Sequence, residues 1–238
     1  MTWSIIARDA GSGAFGVAIA TRFFAVGALC PHAESGVGAL STQALVNPHY
    51  GKQALELLRS GVPAPEVVAR LVAPDAGREH RQLHVIDAQG RIGQHTGAQC
   101  VDWCGALHGA GFSVAGNMLA SERVIAATSE AFQKSKASFP ERLIAALEAG
   151  EAAGGDKRGK QSAALIVFSK ESYPDLDLRV DDAAEPLAEL RRLYEKAQER
   201  FVPYLGCSPS QARPWGIFDR DRIERAIQDF QKARGRPS

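Results

Sequence analysis

The hydrophobic and polar positions near the start of the chain predict a pair of strands. Residues 3–9 mix Trp, Ile and Ala, a glycine-rich turn follows at 10–13, and the uncharged apolar run 15–20 comes directly after it. This pattern is typical of an antiparallel hairpin whose second strand is buried. Thr2 therefore stands at the start of the first predicted strand.

Runs of the same kind, and runs with helical spacing, continue along the chain. Apolar or alternating runs predict further strands at 36–44, 82–87, 91–96, 163–168 and 176–180. Apolar residues at helical spacing predict helices at 53–60, 63–72, 121–134, 139–149 and 186–201. Ser121 is the expected N-cap of the third helix. The glycine-rich segment 100–119 is assigned to neither kind of element, and its small residues predict a close approach of the backbone to another group.

The order of these elements indicates the fold class. Strands and helices do not alternate, which disfavours a Rossmann or barrel fold, and no phosphate-binding glycine motif lies between a strand and a helix. The order favours an α+β fold in which two antiparallel sheets lie between layers of helices, a four-layer αββα sandwich. We expect residues 1–182 to form this sandwich and residues 183–238 to form a small helical appendage.

Composition and charge narrow the classes of function. The 238 residues are 45% hydrophobic and 23% charged, which suits one globular domain with a sizeable core. The net charge of +1 supplies no global field to attract nucleic acid or an anionic membrane. No stretch has the pattern of a signal peptide or of a membrane span. We therefore expect a cytoplasmic protein with no nucleic-acid or membrane partner.

The cysteines and histidines do not form the patterns of a metal or redox centre. Cys100 and Cys104 form a C-x3-C pair, which lacks both the spacing of a redox motif and a second pair for zinc. The six histidines form no H-E-x-x-H or similarly spaced cluster. His84 and His95 lie on predicted strands, where a hydrogen-bonded or exposed histidine is expected and a ligand or base is the alternative. We expect no metal and no cofactor.

Thr2 is the first candidate for chemistry. Initiator methionine is removed when the second residue is small, so the mature chain is expected to begin at Thr2. A free N-terminal threonine carries a hydroxyl and an α-amine with a pKa of about 7.7 to 8.0, which suits a general base near neutral pH. Nucleophile and base then belong to one residue. The alternative is that threonine is simply a common second residue.

Several blocks of sequence, taken in order, resemble the DUF1028 family over roughly residues 2–182. They are TWSIIARD at 2–9, FGVAIATRFFAVG at 15–27, and the segments 36–43, 47–51, 81–82, 116–117 and 154–164. The resemblance implies a fold like that of the N-terminal nucleophile (Ntn) hydrolases, which place Thr, Ser or Cys at the start of a strand in an αββα sandwich. It also implies that Thr2 occupies the position of the nucleophile.

The loop 156–162 resembles the region that supports the N-terminus in proteasome-type Ntn hydrolases. The chain departs from that pattern in two places. Ser162 is followed by Ala163, and no lysine stands in the second strand, where Arg22 lies nearest. The groups that tune the amine are therefore expected to differ from those of proteasome subunits.

The candidate site residues fall into two sets. Asn117, or a backbone N–H of the glycine-rich segment, is the expected oxyanion donor, and Gln43, Asp156 and Gln161 are candidates to position the amine. The predicted catalytic residues are Thr2, Asn117, Asp156, Gln161 and Ser162. The predicted substrate-binding residues, which include arginines suited to a carboxylate, are Arg22, Gln43, Asn47 and Arg158. A surface salt bridge for Arg22 and a plain basic surface loop at 154–162 are the alternatives.

The sequence thus predicts an amidohydrolase that cleaves a small or non-peptide amide C–N bond and works as a homo-oligomer. The competing class is a non-catalytic binding or assembly protein that retains the sandwich, since a fold alone does not determine function. A metal-dependent hydrolase is a third class, disfavoured by the histidine spacing. Near the C-terminus, residues 216–218 and 223–232 are similar to the last part of peptidoglycan-binding repeats, although an ordinary amphipathic helix explains them equally well.

Overall fold

The computed structural model describes residues 2–235, which contain two antiparallel sheets. In the larger sheet, sheet A, the strands lie in the spatial order Leu176–Val180 (β10), Ser162–Phe168 (β9), Phe15–Thr21 (β2), Thr2–Arg8 (β1), Phe112–Asn117 (β8) and Gly105–Gly109 (β7). In the smaller sheet, sheet B, the order is Pro31–Glu34 (β3), Gly38–Ala44 (β4), Arg81–Asp87 (β5) and Ile92–Thr96 (β6). The strand that begins with Thr2 therefore has a paired neighbour on each side.

Helices pack against both sheets. His49–Arg59 (α1) and Ala64–Val72 (α2) contact strands of sheet B, and Arg123–Lys134 (α3) and Phe139–Ala152 (α4) contact strands of sheet A. The two sheets also contact each other, through β1 with β4 and through β8 with β5. The fold is therefore mixed α+β with two packed antiparallel sheets, as predicted at that level.

The two faces of β1 have different surroundings, because successive side chains in a strand point to opposite sides. Ile6 packs with Ala39 and Ile86 of sheet B in one hydrophobic cluster. Trp3, on the other face, lies against α4, where a Cβ added at Gly150 would be 2.8 Å from Trp3 Nε1. β1 is buried on both faces, and the main chain of Thr2 is positioned by the same packing.

Several predicted elements agree with the structure, and others need correction. The hairpin of β1 and β2 and the strands β9 and β10 are confirmed. α4 begins directly after Ser138, which forms a capping box with Glu141. The prediction of Ser121 as N-cap is wrong: its carbonyl accepts the N–H of Val124 in a turn, and α3 begins only at Arg123. α1 begins earlier than predicted, and the predicted helix 186–201 ends at 197.

Three strands were missed, namely β3, β7 and β8, and the last two lie in the glycine-rich segment left unassigned. Strand prediction depends on β-branched and aromatic residues, which small residues in a buried strand do not provide. Gly116 of β8 illustrates the cause, since a Cβ there would lie 2.6 Å from Leu119 Cδ1 and 3.0 Å from Trp3 Cβ. The expected close approach of backbone in this segment is thus confirmed.

The chain divides after Leu190 into two compact units. The second unit contains Phe201–Leu205 (α6) and Arg220–Ala233 (α7), and Pro186–Ala197 (α5) spans the division. The domain boundary predicted at 182/183 and the peptidoglycan-binding likeness stay predictions. Within residues 2–235, no helix has both the length and the apolar character needed to cross a membrane.

Candidate functional site

A row of four buried polar residues crosses sheet A at the end where β1 begins. Asn117 of β8 pairs with Thr2, Thr2 pairs with Thr21 of β2, and Thr21 pairs with Ser162 of β9. Cross-strand partners share one face of a sheet. Ser4, two residues along β1, hydrogen-bonds to sheet B, so the row faces the space between the sheets. Buried polar residues are more informative than exposed ones, which makes this end of the sheet the first candidate for a site.

Thr2 is held by both its side chain and its main chain. Its Oγ1 donates a hydrogen bond of 3.1 Å to Thr21 Oγ1. Its carbonyl oxygen accepts longer bonds from Gln43 Nε2, at 3.4 Å, and from Asn117 Nδ2, at 3.5 Å. The hydroxyl therefore has a defined direction on a central strand, as a nucleophile on a rigid element requires.

Thr2 lies in the wall of a cavity of about 220 Å³. The lining residues that are buried form its floor, and they are Thr2, Val26, Cys30 and Gln43. The exposed lining residues form its rim, and they are all apolar: Phe23, Phe24, Leu29 and Leu45. Ala25, Ala44 and Val46 complete the wall. The lining set contains no charged side chain.

Backbone strain is concentrated around the cavity. Among residues 2–235, the non-glycine residues with positive φ are Ala25 at 52°, Ala44 at 68° and Met118 at 52°. Ala25 and Ala44 line the cavity, and Met118 directly follows Asn117 in the polar row. Left-handed conformations of such residues cost roughly 1 to 3 kcal/mol each and cluster at functional sites. The strain is thus a second, independent indication that this region is a site.

Two loops next to Thr2 are tied together by the buried carboxylate of Asp156. Its oxygens accept the backbone N–H groups of Arg22 and Arg158, each at 2.8 Å, and the Arg158 guanidinium at 3.2 Å. The N–H of Gln161 donates to the carbonyl of Thr21 at 3.0 Å. Asp156 therefore connects the end of β2 to the loop that leads into β9.

Ser162 anchors the segment that forms one side of the cavity. Its Oγ donates to the carbonyl of Phe23 at 2.6 Å and accepts the N–H of Val26 at 3.1 Å. The hydroxyl of Ser162 therefore hydrogen-bonds to the backbone of residues 23–26 and not to Thr2.

Three of the four predicted substrate-binding side chains, those of Arg22, Asn47 and Arg158, bond to groups outside the cavity lining. Arg22 Nη1 donates to the carbonyl of Arg158 at 3.1 Å, and Arg158 pairs with Asp156. Asn47 Oδ1 accepts the N–H of His49 at the start of α1, at 3.2 Å. The side chain of Gln161, a predicted catalytic residue, donates to Asp182 at 3.1 Å. Arg22, Asn47 and Arg158 are absent from the cavity lining.

A buried hydrogen-bond network continues from Gln43 into the space between the sheets. Gln43 donates to Gln82 Oε1 at 2.8 Å and accepts the Ser4 hydroxyl at 2.7 Å. His84 Nε2 lies 2.9 Å from Ser4 Oγ, and Nδ1 lies 2.9 Å from Ser113 Oγ. Because the Ser4 proton goes to Gln43, His84 donates from Nε2 and accepts at Nδ1. Burial lowers the pKa of His84 to about 3, which keeps the ring neutral.

Cys30 is the other potential nucleophile in the cavity. Burial raises the pKa of its thiol to about 12, and only the thiolate form of cysteine is a good nucleophile. Cys30 therefore contributes an apolar surface, and the hydroxyl of Thr2 is the candidate nucleophile. In the described part of the chain, no group of three or more His, Cys, Asp or Glu residues is arranged to hold a metal ion.

Sequence reasoning missed Thr21 and most of the cavity wall. The sequence does contain a signal for Thr21: an antiparallel hairpin that turns at residues 9–14 pairs position 2 with position 21. The wall segments 23–30 and 44–46 had no such signal, since they meet only when the two sheets pack together.

Comparison with known proteins gives an extensive likeness to one family. The family model that matches is DUF1028, described as a family of unknown function, over residues 2–190. The crystal structure of protein SPO2555 from Silicibacter pomeroyi, described as DUF1028, is 33% identical with a TM-score of 0.85, and the likeness covers 92% of this chain and 96% of that one. Anbu (ancestral beta-subunit) from Yersinia bercovieri is 12% identical with a TM-score of 0.38, over 87% of this chain and 98% of that one, and this value is too low to carry an argument. None of the curated proteins compared matches the chain.

Proposed function

The chain belongs to the DUF1028 family, whose function is unknown, and on this premise we propose that it is an N-terminal nucleophile amidohydrolase with Thr2 as nucleophile. The proposal includes a four-layer αββα arrangement of the Ntn type. The observation that carries it is the hydroxyl of Thr2, held 3.1 Å from Thr21 Oγ1 at the start of a central strand and in the wall of a cavity. The strained residues around the same cavity support it.

The mechanism requires Met1 to be removed, so that Thr2 carries the free α-amine. Thr2 Oγ1 attacks the carbonyl carbon of an amide, and the amine accepts the hydroxyl proton. Collapse of the tetrahedral intermediate breaks the C–N bond, passes the proton to the leaving amine and leaves an ester on Thr2. Water then attacks the ester, releases a carboxylic acid and restores the threonine. No cofactor takes part in these steps.

Neighbouring residues have positioning roles in this proposal. Gln43 and Asn117 hold the carbonyl of Thr2, and Thr21 orients its hydroxyl. Asn117 stays the predicted oxyanion donor, a role worth about 2.7 to 4 kcal/mol where such a donor has been removed. The two hydrogens of Asn117 Nδ2 go to Gln82 Oε1, at 2.9 Å, and to the carbonyl of Thr2, at 3.5 Å, so that role requires one of these bonds to be released. Asp156 and Ser162 hold the two loops.

The first test is the intact mass of the protein expressed without an N-terminal tag. A mass lower by one methionine is expected. Wild type, Thr2→Ala and Thr2→Ser are then assayed with a panel of simple anilides. We expect Thr2→Ala to lose activity by about 1,000-fold or more, because it lacks the nucleophile, and Thr2→Ser to retain part of it. Retention of Met1 in the purified protein, or absence of activity in wild type, would favour the non-catalytic binding protein. Full activity of Thr2→Ala would show that Thr2 is not the nucleophile.

Thr21→Val tests the orientation of the nucleophile. The change removes the acceptor of the Thr2 hydroxyl while keeping the side-chain shape, and a hydrogen bond of this kind is worth about 1 kcal/mol, or roughly fivefold. We expect kcat to fall by about that factor with little change in KM. The control is Thr128→Val, which removes a buried threonine hydroxyl on α3 that donates to Val124. Equal effects of both changes on kcat would contradict the role of Thr21.

The predicted homo-oligomer stays a prediction.

A further inference from the structure

The lining of the cavity beside Thr2 is mostly apolar, whereas the sequence led us to expect a site for a carboxylate-bearing substrate. Its rim is formed by apolar side chains that are exposed, including Phe23 at 62%, Phe24 at 61% and Leu45 at 62%. Its floor adds Val26 and the protonated thiol of Cys30. Large apolar side chains left in contact with water around a concavity are typical of a binding site for an apolar group.

Three cations of the predicted site region bond to groups outside the cavity lining. Arg22 bonds to the carbonyl of Arg158, and Arg158 pairs with the carboxylate of Asp156. Lys157 Nζ donates to the carbonyl of Asp102 at 2.7 Å. A carboxylate placed in the cavity would lose hydration and meet no charged side chain in the lining, which is unfavourable. The α-amine of Thr2 accepts a proton only in its neutral form, so in the reactive state it supplies no positive charge either.

The volume limits the size of the group that fits. The cavity holds about 220 Å³. An apolar cavity of about 150 Å³ in another protein binds benzene. A phenyl group or a branched aliphatic group of similar size therefore fits, whereas a long chain extends beyond the rim.

We infer that this cavity binds the uncharged, apolar acyl group of the amide substrate, so that the acyl carbonyl meets the hydroxyl of Thr2. The substrate class is then an N-acyl amide with an aliphatic or aromatic acyl group of moderate size. The inference rests on the proposed function, because Thr2 is taken as the reacting residue. The carboxylate-bearing substrate expected from Arg22 and Arg158 is the competing outcome.

The activity test uses the 4-nitroanilides of acetic, butyric, isovaleric, benzoic and succinic acids. Each methylene buried in an apolar site raises kcat/KM by about three- to fourfold. We expect the isovaleryl and benzoyl substrates to exceed the acetyl substrate by about tenfold or more and the succinyl substrate to be the poorest of the larger ones. Preference for the succinyl compound would overturn the inference and leave the proposed function standing.

Rim variants connect that preference to this cavity. Phe24→Ala removes an exposed rim residue, and Phe218→Ala is its control, since Phe218 is also exposed but is not part of the lining. We expect Phe24→Ala to lower kcat/KM for the benzoyl substrate by about tenfold and for the acetyl substrate by less than about twofold. Phe218→Ala is expected to change neither. Equal losses on both substrates would contradict an acyl site at this rim.

A binding measurement separates failure of the inference from failure of the proposed function. Thr2→Ala is titrated with isovaleranilide and with succinanilic acid, which carries a carboxylate, and binding is followed by calorimetry. Tighter binding of the neutral anilide supports the inferred apolar binding site. If wild type nevertheless cleaves no anilide, that absence of cleavage contradicts only the proposed function. Tighter binding of the acid, or no binding of either compound, would overturn the inference.

Discussion

Thr2 and His84 are both buried polar residues in central strands, but their surroundings give them different properties. The hydroxyl of Thr2 lies in a cavity wall and is directed by one neighbour, Thr21. Both ring nitrogens of His84 have partners, Ser4 and Ser113, and the ring has no exposed surface. Thr2 is thus available to a ligand, whereas His84 is the hydrogen-bonded strand histidine that the sequence led us to expect.

His84→Gln should change how stability depends on pH. Burial lowers the pKa of His84 from 6.5 to about 3, so between these values the unfolded chain binds a proton that the folded protein does not. The stability that comes from keeping His84 neutral is fully present above pH 6.5 and is lost as the pH falls toward 3. By about pH 4.5 this loss amounts to about 3 kcal/mol of the free energy of unfolding.

The measurement is urea unfolding at several pH values between about 8 and 4.5, with each protein compared with its own value at pH 8. We expect the loss to be smaller in His84→Gln by about 3 kcal/mol. Burial also lowers the pKa of His32, which contributes in the same direction in both proteins and cancels in the comparison. His49→Gln replaces an exposed histidine and controls for the substitution itself. Parallel pH curves for wild type and His84→Gln would refute the prediction.

At the scale of secondary-structure elements, the site is built where strands end and loops begin. β2 ends at Thr21, and the chain then forms one side of the cavity before β3. Two buried side chains from the region just before and at the start of β9, Asp156 and Ser162, bond to the backbone of this segment. The shape of the cavity therefore depends on the pairing of β2 with β9 and on these side-chain bonds.

Ser162→Ala should loosen the cavity wall while leaving β9 in place. The change leaves the carbonyl of Phe23 and the N–H of Val26 without the hydroxyl they bond, at a cost of about 1 to 3 kcal/mol. We expect faster amide hydrogen exchange at Val26 and unchanged protection in β9. Ser129→Ala is the control, since Ser129 is a buried serine on α3 whose Oγ accepts Gln133 Nε2 at 2.9 Å. Wild-type protection at Val26 in Ser162→Ala would show that the hydroxyl does not hold the segment.

At the scale of the whole molecule, the candidate site lies entirely in the first compact unit, which ends at Leu190 as the family match does. The second unit has its own internal contacts. Gln231 of α7 is buried and donates to the carbonyls of Gln198, at 2.6 Å, and Glu199, at 2.7 Å, just beyond α5. The stability of the second unit can therefore be changed by substitutions remote from Thr2 in sequence.

Gln231→Leu tests this division of the chain. It leaves two carbonyls without their donor, and we expect the second unit to lose about 1 to 3 kcal/mol. Limited trypsin digestion should then cut first beyond residue 190 and leave a resistant fragment that contains the first unit. Gln228→Leu, an exposed position on the same helix, is the matched control and should digest like wild type. Simultaneous loss of both units would show that they unfold together.

The parts of the fold that were predicted correctly depend on neighbours in sequence. The hairpin at 2–21 follows from two apolar runs around a glycine turn, and α4 follows from helical spacing after Ser138. The parts that were missed lack such local signals. β8 has small residues because Trp3 and Leu119 pack against Gly116, a fact that a window of sequence does not contain.

The sequence by itself determined the family, the α+β class and the candidacy of Thr2, since these depend on ordered motifs and local periodicity. Only the tertiary structure decided what surrounds Thr2. Gln43 contacts Thr2 across 41 positions of sequence, and Ser162 reaches Val26 across 136. Such contacts arise from the pairing of distant strands and the packing of one sheet on another. The apolar cavity, and with it the class of acyl group we propose, exists only because those non-local contacts form.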